Sequence, residues 1–122
     1  MAKRVFASFD YDNDLALKNL LIGQARNPDS PFDVTDFSLK EAAPQAAWET
    51  NARAAIRRSE VVIVLLGSKT HGAPGVKKEV RMAKEEGKLR IQLKLEGTNP
   101  PRVDDAGVVY DWNWPNLKTL LS

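Results

Sequence analysis

Short apolar runs alternate along this chain with stretches whose apolar residues recur every three or four positions. Arg4 to Phe9, rich in Val and Phe, reads as a strand. Asp12 or Asn13 then caps a helix carrying Leu15, Leu17, Leu20, Leu21 and Ile22, which Asn27-Pro28 stops. Phe32 to Asp36 is a weaker strand, followed by the polar stretch SLKEAAPQ. From Gln45 a second helix places Trp48, Ala52, Ala55 and Ile56 on one face, with Arg53, Arg57 and Arg58 outside it. The six residues Val61 to Leu66 are continuously apolar, the pattern of a central parallel strand covered on both faces. After the loop GSKTHGA, Pro74 opens a helix that Gly87 stops, and Leu89 to Leu95 is a further strand. EGTNPPR is a loop, Val108 to Tyr110 a short edge strand, and Pro115 begins a last helix through Leu117, Leu120 and Leu121.

Strands alternating with helices predict a single α/β domain. Its parallel sheet of about five strands has helices on both faces, because crossovers between parallel strands are right-handed. The expected strand order is 2-1-3-4-5, that of flavodoxin-like folds, whose ligands bind beyond the C-terminal ends of the strands. That rule selects FDYDND, DFSLKEAAPQ, GSKTHGAPG and EGTNPP as the loops where chemistry would sit.

Composition narrows the options. The chain has 122 residues, room for one core and no second domain. Its 18 Lys and Arg against 16 Asp and Glu are interspersed, so the formal net charge of +2 gives no stripe for nucleic acid. There is no cysteine and a single histidine, His71, which excludes thiol nucleophiles and the usual zinc motifs; no metal site is expected. The apolar runs are far shorter than a membrane span and no signal peptide precedes the first strand, so the expectation is a soluble, cytoplasmic protein.

One residue breaks the helical pattern of GVKKEVRMAKEEGK. Glu79 completes the inward stripe of Val76, Val80 and Ala83, where packing favours an apolar side chain. A carboxylate there costs free energy unless it is paired or hydrogen-bonded. On spacing alone two roles stay open: a structural acid bonded to the preceding loop or to a lysine, and a functional group at the sheet edge. The acids of FDYDND would repel a flavin phosphate, and Gly67-Ser68 stands where a phosphoacceptor aspartate would be needed, which disfavours flavin binding and a receiver role. Helix capping remains the structural reading of one or two of those acids. Trp48 reads as core whose ring can reach the edge. His71 is a loop histidine at the right edge, and Ser8 and Ser38 lie near strand ends.

Taken together, RVFASFDYDNDLALKNLLIGQARNPDSPFDVTDFSLKEA, Trp48-Glu49 with ARAAIRRSEVVIVLLGSKTH, and APGVKKEV resemble a TIR-like domain, the Toll/interleukin-1-receptor-related fold, of the subgroup found in prokaryotic Thoeris antiphage proteins. The resemblance covers nearly the whole chain. It implies cleavage of the glycosidic bond of NAD, the substrate, with no cofactor and no metal, and it makes Glu79 the catalytic glutamate. It further implies an ADP-ribose-derived nucleotide as product, a separate effector protein that responds to it, and possible self-association. Around Glu79 the expected substrate contacts are Phe6, Ser8, Asp10 and Tyr11 from the first strand and its loop, with Asp36, Ser38 and Trp48 from the next segments. Ser68, Thr70 and His71 are expected at the phosphate and ribose end. The alternative is a non-catalytic interaction module of the same fold, binding through SLKEAAPQ and exposed helix faces.

Overall fold

The computed structural model describes residues 2–122. Five parallel strands form one sheet: β1 (Lys3–Ser8), β2 (Phe32–Phe37), β3 (Val61–Leu66), β4 (Leu89–Leu95) and β5 (Val108–Trp112). Their order is β2-β1-β3-β4-β5, as the alternation of elements predicts. The chain leaves β1 first toward β2 and later, from β2, crosses to β3 on the other side. Loops from the two halves therefore diverge between β1 and β3 and leave a crevice at the strand ends.

The helices divide between the two faces. α1 (Leu15–Ala25) and α4 (Trp114–Leu121) cover one face, where Val5, Ala7, Ile63, Leu65, Ile91 and Leu93 pack with Leu21, Leu117 and Leu121. On the other, α2 (Gln45–Arg58) and α3 (Pro74–Glu85) bring Trp48, Ile56, Met82 and Ala83 onto Phe6 and Val62, and Val76 and Val80 onto Val64 and Leu66. Alternation along β1 thus sends Phe6 to the α2–α3 side and Val5 and Ala7 to the α1–α4 side. β3 is buried at every position, in keeping with its unbroken apolar run.

Two local expectations change. The helix α1 begins after Asp14, and no side chain caps it, so neither Asp12 nor Asn13 has the capping role. Asp10 instead organises that loop, its carboxylate accepting from the Asp12 backbone N–H (3.2 Å) and the Asn13 amide (2.7 Å). Leu15 and Leu20 are also exposed, because only one narrow edge of α1 reaches the sheet.

The passage from β4 to β5 uses no helix. Gln92 of β4 holds that irregular segment in place, its amide N–H groups donating to the carbonyls of Val103 (3.1 Å) and Gly107 (2.8 Å) and its oxygen accepting from the Val103 N–H (2.8 Å). Val103 and Ala106 are then buried against the α3 side of the sheet. Gly107 enters β5 at φ 84°, and a Cβ there would lie 1.9 Å from the Arg90 carbonyl oxygen. Both the φ and the backbone contact exclude a side chain. Gly107→Ala is therefore expected to destabilise the fold by at least about 2 kcal/mol, read as a lower urea midpoint with an unchanged slope.

A buried carboxyl between two serines

Glu79 lies in the second turn of α3 and is 1% exposed. Two hydroxyls from different strands reach its Oε1: Ser8 Oγ at 2.8 Å, from the last residue of β1, and Ser38 Oγ at 2.5 Å, just past β2. Ser38 is itself positioned by the Phe9 N–H, which donates to its Oγ at 3.1 Å. Both hydroxyls thus give their protons to one oxygen, and among the described residues no hydrogen bond reaches Oε2. Burial pushes the Glu79 pKa up to about 8, against the lowering effect of the Ser38 and Ser8 bonds and with a further rise from the charge of Glu41. Near neutral pH the carboxyl is mostly protonated.

Two cavities meet at this residue. The smaller, about 150 Å³, is walled by Asp10, Tyr11, Asp12, Ser38, Glu41 and Trp48 together with Glu79. Its acids make it a place for a cation. The larger, about 530 Å³, runs from Glu79 along α2, past Phe6, Trp48 and a series of alanines, to Asp36 and Arg58. Its wall is mainly apolar, as ligand pockets generally are. Trp48 borders both, with its ring packed on the core and its indole N–H donating to the Leu39 carbonyl at 3.3 Å. Tyr11 stacks on Phe9 at a centroid distance of 6.1 Å.

Residues 38–44 form the outer wall. Glu41 ties this segment to α3, accepting from Lys78 Nζ at 3.0 Å, and the Gln45 amide also donates to it at 3.0 Å. The Lys78 bond, then that from Gln45, holds the Glu41 carboxyl below its ordinary pKa. Lys78 also lies 5.8 Å from the Trp48 ring centroid. Lys40 lines both cavities and is the cation they share. Sequence reading missed Lys40, Glu41 and Lys78, since exposed loop residues and a helix-surface lysine carry no periodic signal. The available signals were that Lys40 and Glu41 lie in DFSLKEAAPQ, one of the strand-end loops, and that Lys78 adjoins Glu79 in the sequence.

The structure therefore gathers Phe6, Ser8, Asp10, Tyr11, Ser38 and Trp48 around Glu79. Asp36 is at the far end of the larger cavity, paired with Arg58 at 3.1 Å. Three expected contacts lie elsewhere, which removes the phosphate role given to them at this site. Thr70 is fully buried, donates to Asp14 Oδ2 (3.1 Å) and accepts from the Gly67 N–H (2.7 Å), so its hydroxyl is already committed. Burial raises the Asp14 pKa, against the lowering effect of the Thr70 bond. Ser68 lines a separate cavity with Asp14, Leu17 and Pro100, and exposed His71 borders another beside Arg81 and Arg102. Loops at one sheet edge serve both faces, and the loop after β3 is split between them. Among the described residues no three His, Asp or Glu side chains gather as metal ligands, and no helix is long and apolar enough to cross a membrane.

A doubly wound parallel sheet with a carboxyl buried where β1, β2 and α3 converge defines a flavodoxin-like α/β protein with its site at the strand ends. The chain belongs to the family of the TIR-like domain of the Thoeris protein ThsB, whose model matches residues 6–100, from within β1 through β4, and so takes in Glu79, Ser8 and Ser38. That family places it in antiphage defence. None of the curated proteins matches it. Among solved structures it is similar to a 3-dehydroquinate dehydratase-like protein from Bifidobacterium longum, at 16% identity and a TM-score of 0.48 over 98% of this chain and 91% of that one.

The raised pKa has a consequence for stability. The unfolded chain releases the Glu79 proton near 4.5, whereas the folded chain keeps it to about 8. Stability from this group is full below the lower value and is lost as pH rises through that window. Glu79→Gln keeps the shape and an acceptor for both serines without the titration. Its denaturant midpoint is expected to gain on wild type progressively from about pH 5 to about pH 8, with no further gain above.

Proposed function

We propose that this protein cleaves the bond between nicotinamide and ribose in NAD. The observation that carries the proposal is the buried Glu79 carboxyl, fixed by Ser8 and Ser38 at the junction of an acidic ring-sized cavity and a longer apolar one. The cationic nicotinamide ring suits the smaller cavity, where Asp10, Asp12 and Glu41 offer negative charge and Tyr11 and Trp48 offer aromatic surfaces. The ribose then sits against Glu79. Arrival of the cation favours release of the Glu79 proton to solvent water, and the resulting carboxylate accepts from a ribose hydroxyl and faces the anomeric carbon.

In the reaction the bond from C1′ to the ring nitrogen breaks and its electron pair leaves with neutral nicotinamide. Positive charge passes to the ribose as an oxocarbenium ion, which the anionic Glu79 stabilises more than it does the starting glycoside. Water or another nucleophile then adds at C1′. Lys40, shared by both cavities, is the cation placed to meet the pyrophosphate, in place of Ser68 and Thr70. Family membership supports an ADP-ribose-derived product that acts on a separate effector protein. Leu39, 59% exposed beside the site, supports self-association through the same segment.

Nicotinamide release from NAD, followed by chromatography, tests the reading. Wild type is expected to release it, Glu79→Gln to do so at least about 100-fold more slowly, and Lys40→Ala to raise KM more than it lowers kcat. Equal release by wild type and Glu79→Gln would sink the enzyme reading. In the free protein the active carboxylate forms only as pH approaches about 8. So kcat/KM is expected to climb from about pH 6 and level off above about pH 8, and a profile flat across that range would remove Glu79 from the ionisation that matters.

A further inference from the structure

The face of α3 turned away from Glu79 carries a second concave site. Lys77, Arg81 and Lys84 recur at spacings of four and three, which aligns them in one stripe on the far side of the helix from Glu79. Because no helix connects β4 to β5, this stripe is not covered by a packed neighbour. The segment anchored by Gln92 instead brings Arg102, Asp104 and Asp105 alongside, and a cavity of about 550 Å³ remains between them and α3.

It gathers an excess of positive charge. Four cations, Lys77, Arg81, Lys84 and Arg102, face two carboxylates, a net charge of +2. That equals the formal excess of the entire chain, so the rest of the protein is balanced. The arginines of α2 are all paired, Arg53 and Arg57 with the glutamates ending α3 and Arg58 with Asp36. Here the one ion pair is Lys84 with Asp105 at 3.5 Å, between exposed groups. Among the described residues Lys77, Arg81 and Arg102 have no carboxylate within ion-pair distance.

We propose that this cavity binds a small phosphate-bearing anion, separately from the site at Glu79. Arg81 and Arg102 offer planar forks that match phosphate oxygens, and Lys77 adds a point charge. The concave shape and the volume fit a small molecule. Asp104 and Asp105 on the rim would repel a long polyanion such as a nucleic acid, which argues for a compact ligand.

The test is titration of the full chain with pyrophosphate and with ADP, followed by calorimetry and by amide chemical shifts. Saturable binding is expected, with shifts at Lys77, Arg81, Lys84 and residues 102–105. Arg81→Ala/Arg102→Ala should weaken it at least tenfold, and Glu79→Gln should leave it unchanged. Equal affinity for both probes would mean that phosphate alone is recognised, and preference for ADP would mean a nucleotide; each supports the site. Absence of saturable binding, no shift at Arg81 and Arg102, or full affinity in the double variant would overturn it. The shift map on wild type keeps the test decisive if the double variant fails to fold.

Discussion

The burial of one carboxyl governs how this domain is put together at its working edge. A group that is 1% exposed and still titratable must be solvated by the protein. Ser8 and Ser38 supply that solvation from the ends of two adjacent strands. Their bonds tie the end of β1 and the chain leaving β2 to the inward face of α3. The serines do not fully offset the loss of water, which is why the group holds its proton to about pH 8. The Glu79 carboxyl is thus held mostly neutral near pH 7 while its neighbour Glu41 is held ionised.

The same edge is partitioned by the sheet. On the α2–α3 side, Glu79, Trp48 and the 38–44 segment enclose two joined cavities. On the α1 side, Asp14 turns toward Thr70, and a Cβ on Gly67 would lie 2.5 Å from its carboxylate. That glycine therefore stands where backbone and carboxylate meet, and the loop after β3 is spent on holding Asp14. Three acids close together in sequence thus have different work: Asp10 shapes the first loop, Asp12 lines the acidic cavity, and Asp14 belongs to the other face.

Much of the fold was legible because burial writes itself into spacing. Val61 to Leu66 carries the unbroken apolar pattern of a central strand, and the alternation of strands and helices led to the order found. Glu79 was legible as an exception to a stripe, and Ser8 and Ser38 as polar residues at strand ends. The misassignment of Ser68 and Thr70 has a definite cause: strand-end position identifies the edge of the sheet but not its face. Lys40, Glu41 and Lys78 were hidden because their exposed positions obey no period, and what places them is a tertiary contact between the 38–44 segment and α3. The cap expected at Asp12 or Asn13 failed because Asp10 captured that loop first.

The Glu41–Lys78 pair deserves a reading in these terms. Glu41 raises the Glu79 pKa through space, while Lys78 holds Glu41 itself ionised. Both partners are about one-third exposed, so as a surface ion pair the bond adds little stability. Its effect is on geometry and field. It pins the outer wall of the acidic cavity to the helix that carries Glu79, and it keeps a negative charge beside a carboxyl that already resists ionising. A neutral wall there would ease the ionisation of Glu79 in the empty site and weaken the attraction for a cation. The arrangement instead holds the Glu79 proton to a higher pH than burial and the two serine bonds alone would.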